Sequence, residues 1–420
     1  MTRNLKITEH HTHQHLWVLF RETYLVTGPF SFLNPTRAHF HHLRQHDHEE
    51  LAENVELQWR SRDNRKGRHT LLFKPAASPD AAIFVAPEST ASIRGVMKGI
   101  ARMFTQYPYY DVSWLVAVIF TLGSVVWCIN GFFSFLPLVR PSSEFATETV
   151  YGGGITAFIG ATIFEIGSIL LMVEAVNENR TGCFGWAVET IVEGEMGGLL
   201  RLRPDQDDCM HHHQNKKNLV GKRSASRASK ASDNENAASS NSDESDDRRN
   251  WVWFPSWHDL TSHYFREIGF LACLSQTIGA TVFWISGFTA LPKVIHMTNK
   301  SLTDGVFWTP QVIGGTGFVI SGLLFMLETQ KKWYLPAWAT LGWHIGFWNL
   351  IGALGFTLCG AFGFSSNSGL QYQAACSTFW GSWAFLIASI IQWYESLDKH
   401  PVHKMDDMDK SKLGKVFDNQ

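Results

Sequence analysis

An acidic side chain, Glu165, interrupts an apolar stretch of this sequence near its middle. An ionisable group at the centre of a bilayer costs on the order of 3 kcal/mol, so such groups are usually functional or paired. Two interpretations follow. The carboxyl is either a proton or cation site, or a protonated group that hydrogen bonds to a neighbouring helix.

Other polar side chains also lie inside apolar stretches and are candidate partners for this acid. Together with Glu165 they form a candidate intramembrane polar site of Asn130, Gln276, Ser286, Ser321 and Asn349. Most polar residues in such positions make hydrogen bonds between helices. The sequence therefore leaves open whether these residues line a narrow path or hold helices together.

Three further glutamates, Glu174, Glu328 and Glu395, share their spacing near the ends of apolar stretches. A ring of three carboxylates would attract cations or basic partners. The simpler interpretation is that they mark where helices leave the bilayer, and the sequence favours it.

Six apolar stretches must position these residues. They cover residues 113–136, 153–174, 269–291, 309–328, 341–363 and 376–395. Each has about the 20 residues that cross a hydrocarbon core as a helix. We therefore predict six transmembrane helices, called spans 1 to 6, in a bilayer.

One motif recurs in all six spans: Gly, a small residue, two residues, an aromatic residue, one residue, Ile or Leu, one residue, and Gly or Ser. Its small residues fall on one side of a helix, which predicts close helix packing, with the aromatic ring over a neighbour's glycines. The motif is also placed so that packing is tightest in the outer half of the bundle. The packing glycines are Gly123, Gly131, Gly160, Gly279, Gly287, Gly314, Gly322, Gly352, Gly360 and Gly381.

The even spans end alike, so the repeating unit is a two-helix hairpin used three times. The hairpins are residues 112–174, 269–328 and 341–395. Units with an even number of spans insert in one orientation. We predict an all-α membrane fold of three hairpins related by a pseudo-threefold axis along the membrane normal.

The remaining segments are polar or amphipathic. Residues 1–91 are His-rich and predicted to be partly ordered, and residues 92–111 form an interfacial amphipathic helix. The loop 175–268 is predicted to be disordered at 205–250, where protein partners could bind, and residues 396–420 form a tail. The distribution of Lys and Arg places both termini in the cytosol, in a membrane left open.

Composition argues against several classes of function. A net charge of −2 does not favour nucleic-acid binding. The sequence has neither a phosphate-binding Gly-Lys-Ser/Thr loop nor a His-Glu-x-x-His motif, so we expect no enzyme and no cofactor. The His clusters lack a fixed Cys or carboxylate framework, so we expect no metal site. The oligomeric state stays open.

The motif, with the stretch from Tyr107 to Gly131, also carries a family resemblance. The chain resembles a fungal group of multi-pass integral membrane proteins, and each hairpin resembles the bacterial YrhK-like two-helix domain. The resemblance covers most of residues 92–396 and implies the architecture without an activity. The sequence favours a structural or organising membrane protein; the alternative is a transporter or channel for a small ion or solute with a path near Glu165.

Overall fold

The computed structural model describes residues 22–41, 55–73, 84–85, 88–178, 186–191, 199–204, 252–295 and 299–404. Within these residues six helices are long and apolar enough to cross a membrane. The prediction of six spans is confirmed, and the chain is accordingly a multi-pass membrane protein. In chain order the span helices are Val112–Val139, Gly154–Val176, Ile268–Thr289, Thr309–Glu328, Leu341–Gly363 and Ser368–Leu397.

Shorter helices flank the spans. One, Ser61–Arg65, precedes all of them, and another, Ile93–Thr105, leads into span 1. The remaining short helices are Pro141–Ser143, Glu148–Gly153, Trp257–Ser262, Tyr264–Arg266, Lys300–Thr303 and Asp304–Trp308.

The six spans pack as a closed ring, in which each span contacts the next along the chain and span 6 contacts span 1. The first glycine of the motif faces the other helix of its own hairpin. A Cβ atom at Gly160 would lie 2.8 Å from Trp127 Nε1, and one at Gly352 would lie 2.7 Å from the Phe385 ring. The aromatic side chain of one helix therefore lies over the glycine of its partner.

The ninth residue of the motif faces a neighbouring hairpin instead. A Cβ at Gly287 of span 3 would lie 2.5 Å from the Ala161 Cβ of span 2, and one at Gly322 of span 4 would lie 3.0 Å from Leu350 of span 5. The same relationship holds for Gly131 against Phe379 and for Gly360 against Val312. The two ends of one motif thus pack on two different neighbours, which closes the ring.

A five-stranded sheet covers one end of the bundle, which we call the capped end. Its strands are β1 Glu22–Thr27, β2 Arg37–His41, β3 Val55–Arg60, β4 Thr70–Phe73 and β8 Val402–Lys404, in the order β1-β2-β3-β4-β8. Strand β8 follows span 6 and pairs parallel to β4. Segments that precede span 1 and follow span 6 therefore meet at the same end.

The sheet was not predicted, so the all-α expectation holds for the spans alone. Its strands have three to six residues, and polar side chains such as Arg37 and Glu56 are buried in them beside Phe40 and Leu57. Apolar alternation is too weak in such strands to distinguish them from loop.

A smaller sheet contains β5 Phe84–Val85, β6 Trp186–Ile191 and β7 Leu199–Pro204, in the order β5-β7-β6.

The helix Ile93–Thr105 has two faces, as its sequence predicts. Ser92 caps its N-terminus by accepting a hydrogen bond from the Gly95 N–H, and Gly99 packs against the Tyr394 ring of span 6. The opposite apolar side chains, including Met97 and Phe104, are exposed. The predicted loop region 205–250 and most of the His clusters lie outside the described residues.

Candidate functional site

Residues 60–68, here called the basic segment, link β3 to β4 at the capped end. The segment contains Arg60, the short helix Ser61–Arg65, Lys66 and Arg68. Asp63 stabilises the segment from within, because its carboxylate accepts hydrogen bonds from Arg68 Nη1 at 2.7 Å and Thr70 Oγ1 at 3.3 Å. The two strands thereby hold the basic segment across the end of the helix ring.

The basic segment places cations against the terminal glutamate of each hairpin. Arg65 binds Glu328 through two hydrogen bonds, at 2.6 and 2.9 Å, and Arg62 Nη2 lies 2.6 Å from Glu395 Oε2. Lys66 Nζ lies 3.7 Å from Glu174 Oε1. Glu174 also lies 3.6 Å from Arg65 Nε, and Glu395 also binds Arg68 Nη1 at 3.1 Å. All of these side chains are buried. The three carboxylates lie in the last turns of their helices, as the simpler interpretation has it, and they are also a receptor for this segment.

Small residues at the start of the odd spans make room for these cations. Ser113, Gly269 and Gly342 occupy the same position relative to the motif glycine of spans 1, 3 and 5. A Cβ atom at Gly269 would overlap the Arg65 guanidinium, and one at Gly342 would lie 2.5 Å from Arg62 Nε. Ser113 Oγ donates to the Lys66 carbonyl at 3.5 Å. Each hairpin thus supplies a small residue and a carboxylate to the basic segment.

The three ion pairs differ in strength. Burial opposes the charge of Arg65, but Glu328, Cys273 and Glu174 together outweigh this effect and raise the pKa of the guanidinium well above its usual value. At Lys66 burial dominates over Glu174 and lowers the pKa of the amine. Neither Lys66 Nζ nor the Glu174 carboxylate has a hydrogen-bond partner among the described residues. Hairpin 1 is therefore the least tightly bound to the basic segment.

Above the basic segment lies a cavity of about 40 Å³ on the axis of the ring. A buried water needs roughly 10–15 Å³ measured in this way, so the cavity has room for about three waters. Its lining combines three cations with amides, hydroxyls and apolar groups. The lining residues are Arg62, Arg65, Lys66, Phe120, Ser124, Phe164, Leu171, Gln276, Ser321, Phe325, Ile345, Asn349, Phe385, Ser389 and Gln392.

An aromatic layer closes the axis on the side of the cavity away from the cap. It consists of the six motif aromatics Trp127, Phe164, Phe283, Phe318, Phe356 and Phe385, all buried in one cluster. Trp127 and Phe356 lie edge to face with ring centroids 4.8 Å apart, and Phe385 is 5.4 Å from Phe356. The cavity is thus enclosed between aromatic rings and buried ion pairs.

Equivalent positions of the three hairpins line the cavity. In the odd spans they are Phe120, Gln276 and Asn349, each three residues before its motif glycine; in the even spans they are Leu171, Phe325 and Gln392. Hairpin 1 contributes apolar side chains at both positions, whereas hairpins 2 and 3 contribute three amides between them. The polar lining is therefore asymmetric and lies opposite hairpin 1.

The residues of the predicted polar site separate into two groups. Gln276, Ser321 and Asn349 line the cavity. Asn130 instead donates hydrogen bonds to the Gly153 carbonyl at 2.7 Å and to Thr156 at 3.0 Å within hairpin 1. Ser286 lies 3.5 Å from Gln311 Oε1 within hairpin 2. These two residues join helices and do not reach the cavity.

Glu165 also lies away from the cavity. It is partly exposed on the outside of the ring and accepts a hydrogen bond from Thr281 of span 3 at 2.9 Å. A second polar contact joins the same two spans, because Trp284 Nε1 donates to Thr162 Oγ1 at 3.0 Å. The geometry matches the interpretation of Glu165 as a hydrogen-bonding group between helices, and the predicted path near it does not coincide with the cavity.

The receptor glutamates were predicted from the sequence, but the basic segment that binds them was not. The signal was present, because three carboxylates at equivalent positions require three cations, and residues 60–68 contain five basic side chains. In the described residues no group of three His, Cys, Asp or Glu side chains is placed to hold a metal ion. No family model matches the sequence, and neither a curated protein nor a solved structure matches it.

Proposed function

We propose that this protein is a gated transporter or channel for a small solute, with the axial cavity as its binding compartment and the basic segment as its gate. The observation that carries the proposal is the cavity between the basic segment and the aromatic layer, which is lined by cations and amides as well as by apolar groups. A gate of this kind opens when the ion pairs with Glu174, Glu328 and Glu395 separate.

The buried ion pairs and amides favour a functional cavity. Replacing a buried ion pair by well-packed apolar residues is often neutral or stabilising, so buried charges are weak evidence for stability alone. Hairpin 1 already has Phe120 and Leu171 where hairpins 2 and 3 have amides. An apolar lining is thus compatible with this repeat, and polar groups inside a membrane bundle usually mark a pathway for ions or substrates.

The arrangement in the membrane is part of the proposal. We infer that the three hairpins are related by a pseudo-threefold axis along the membrane normal; the closed ring and the three equivalent cation sites support it. The capped end faces the cytosol, as the distribution of Lys and Arg indicates. The resemblance to the fungal multi-pass group and to YrhK-like hairpins stays a prediction.

A structural or organising protein is the second candidate. It is favoured by the six aromatic rings of the layer, which pack against one another and close the axis. In this case the basic segment would be a permanent lock, and the exposed apolar face of the helix Ile93–Thr105 and residues 205–250 would recruit lipids or partners.

Flux measurements in liposomes separate the two candidates. The purified protein is reconstituted, and fluxes of chloride, potassium and protons are recorded for the wild type and for Arg62→Gln, which removes the closer of the two arginine charges that bind Glu395. The proposal expects slow flux in the wild type and a flux raised at least severalfold by Arg62→Gln, in which Arg68 is left as the partner of Glu395. Glu165→Gln, which lies outside the cavity, is the matched control and leaves the flux unchanged.

The opposite outcome is equally clear. Absence of flux for every ion, in wild-type and Arg62→Gln proteins that are folded and correctly inserted, would reject transport and favour the organising role. Flux that responds to Glu165→Gln but not to Arg62→Gln would move the pathway to the outside of spans 2 and 3.

A further inference from the structure

The axial cavity has one kind of charge on its walls. Among the residues that the structure describes, its charged lining consists of Arg62, Arg65 and Lys66, and the carboxylates that pair with these cations lie outside the lining. Guanidinium and ammonium groups are donors only, with no acceptor atom. Any ligand that contacts them must therefore offer acceptors or negative charge.

Two buried side chains in the lining lack a partner for their polar atoms. Lys66 is 3 % exposed, and its Nζ makes no hydrogen bond within the described part of the chain. Its separation of 3.7 Å from Glu174 Oε1 exceeds the range of a hydrogen bond. Ser321 is 1 % exposed, and its Oγ also has no partner there. A buried donor without a partner is costly, so both groups indicate a missing acceptor.

The remaining polar lining suits an anion as well. Gln276, Asn349 and Gln392 carry amide groups that can donate from nitrogen. Phe164 and Phe385 of the aromatic layer close the far wall. A cavity with room for about three waters excludes large organic anions and admits a small one.

We propose that the axial cavity is a binding site for a small monovalent anion of the size of chloride or nitrate, held by Lys66, Ser321 and the facing amides. The anion provides the acceptor that Lys66 and Ser321 lack and compensates for the weak pairing of Lys66 with Glu174. This inference rests on the proposed function in one respect, because the site would be the binding compartment of the transporter. Anion binding itself can be measured without measuring flux.

The test uses the full-length protein purified in detergent, in gluconate buffer of constant pH and ionic strength. Chloride or nitrate replaces gluconate stepwise while the thermal unfolding midpoint is recorded. The expected result is a midpoint that rises by a few degrees and saturates, because a ligand that binds only the folded state stabilises it. Exchange of potassium for sodium is expected to leave the midpoint unchanged.

Two variants assign the effect to the cavity. Lys66→Met removes the amine, and Gln392→Leu introduces the side chain that hairpin 1 has at Leu171. Both are expected to weaken anion binding at least tenfold, while the control Arg94→Gln, an exposed position, retains it. If Lys66→Met does not fold, the anion affinity of Gln392→Leu alone decides whether the anion binds in the cavity.

Each outcome has a defined meaning. A wild-type midpoint that does not respond to either anion, or a response that Gln392→Leu leaves intact, overturns the anion site. Saturable binding without flux supports the site and rejects transport. Flux of potassium or protons, together with a midpoint that does not respond to either anion, supports transport and rejects the site.

Discussion

Arg65 and Glu328 form a buried pair in which both guanidinium nitrogens Nη1 and Nη2 contact the carboxylate, at 2.6 and 2.9 Å. The two residues are separated by most of the described chain, since one precedes all six spans and the other ends the fourth. The pair therefore joins the cap to the bundle through a buried contact.

Removing one partner of this pair should be strongly destabilising. Arg65→Met leaves the Glu328 carboxylate buried without its main partner, and we expect a loss of about 3–5 kcal/mol in the free energy of unfolding. The double variant Arg65→Met/Glu328→Leu should recover much of this loss. Denaturant unfolding in mixed micelles measures both, with the exposed position Arg94→Met as control. A loss for Arg65→Met no larger than that of the control would contradict the argument.

Backbone contact between spans 3 and 4 gives the second prediction. A Cβ atom at Gly279 would lie 2.8 Å from the Gly314 carbonyl oxygen and 3.1 Å from the Gly317 Cα. Backbone atoms cannot move aside as a flexible side chain can, so Gly279→Ala should cost about 1–3 kcal/mol through overpacking. Gly305→Ala is the matched control, because nothing lies within 4 Å of its added Cβ. Equal unfolding midpoints for the two variants would show that spans 3 and 4 pack less closely than these distances indicate.

The third prediction concerns Glu165 and its hydrogen bond from Thr281. Glu165→Gln retains an acceptor oxygen, so we expect almost no change in stability. Thr281→Val removes the donor and should cost about 0.6 kcal/mol, the average of hydrogen bonds between membrane helices. Unfolding of both variants beside the wild type checks this order. A large loss of stability or of flux in Glu165→Gln would mean that the charged carboxylate has a role that its position outside the cavity does not explain.

The attachment of the cap to span 3 should depend on pH. Burial, followed by repulsion from Glu178, raises the pKa of Glu267 to about 7, and its carboxylate accepts a hydrogen bond from Asn34 at 2.6 Å. The folded state thus holds this proton more tightly than the unfolded chain does. Stability is fully present below about pH 4.5 and falls as pH rises through 7, by at most about 3 kcal/mol.

Glu267→Gln isolates this contribution, because the amide cannot lose a proton. Unfolding curves between about pH 4 and about pH 8, a range that includes both pKa values, should show a smaller decline for the variant than for the wild type. Parallel curves would assign the pH dependence to other groups, such as His263 beside Glu178.

Much of the fold could be predicted because a bilayer imposes strict local requirements. The helix that begins at Leu341 and ends at Gly363 coincides with its predicted bounds, since length and apolar content define a span without reference to other elements. Span 6 begins at Ser368, earlier than predicted, because polar residues such as Gln371 continue the helix beyond the apolar stretch. The strands of the cap escaped prediction because their apolar alternation is weak and because β8 pairs with β4 from the other side of all six spans.

The sequence by itself determined that six helices span the membrane, that one motif recurs in each, and that Glu174, Glu328 and Glu395 occupy equivalent positions. These properties are periodic or local and can be found along the chain. Only the tertiary structure decided that Arg62, Arg65 and Lys66 bind those carboxylates, that Glu165 lies outside the ring, and that Gln276 and Asn349 face a cavity. Such contacts depend on which helix faces are neighbours and on the sheet that carries residues 60–68 to the end of the bundle, and spacing within one segment does not contain that information.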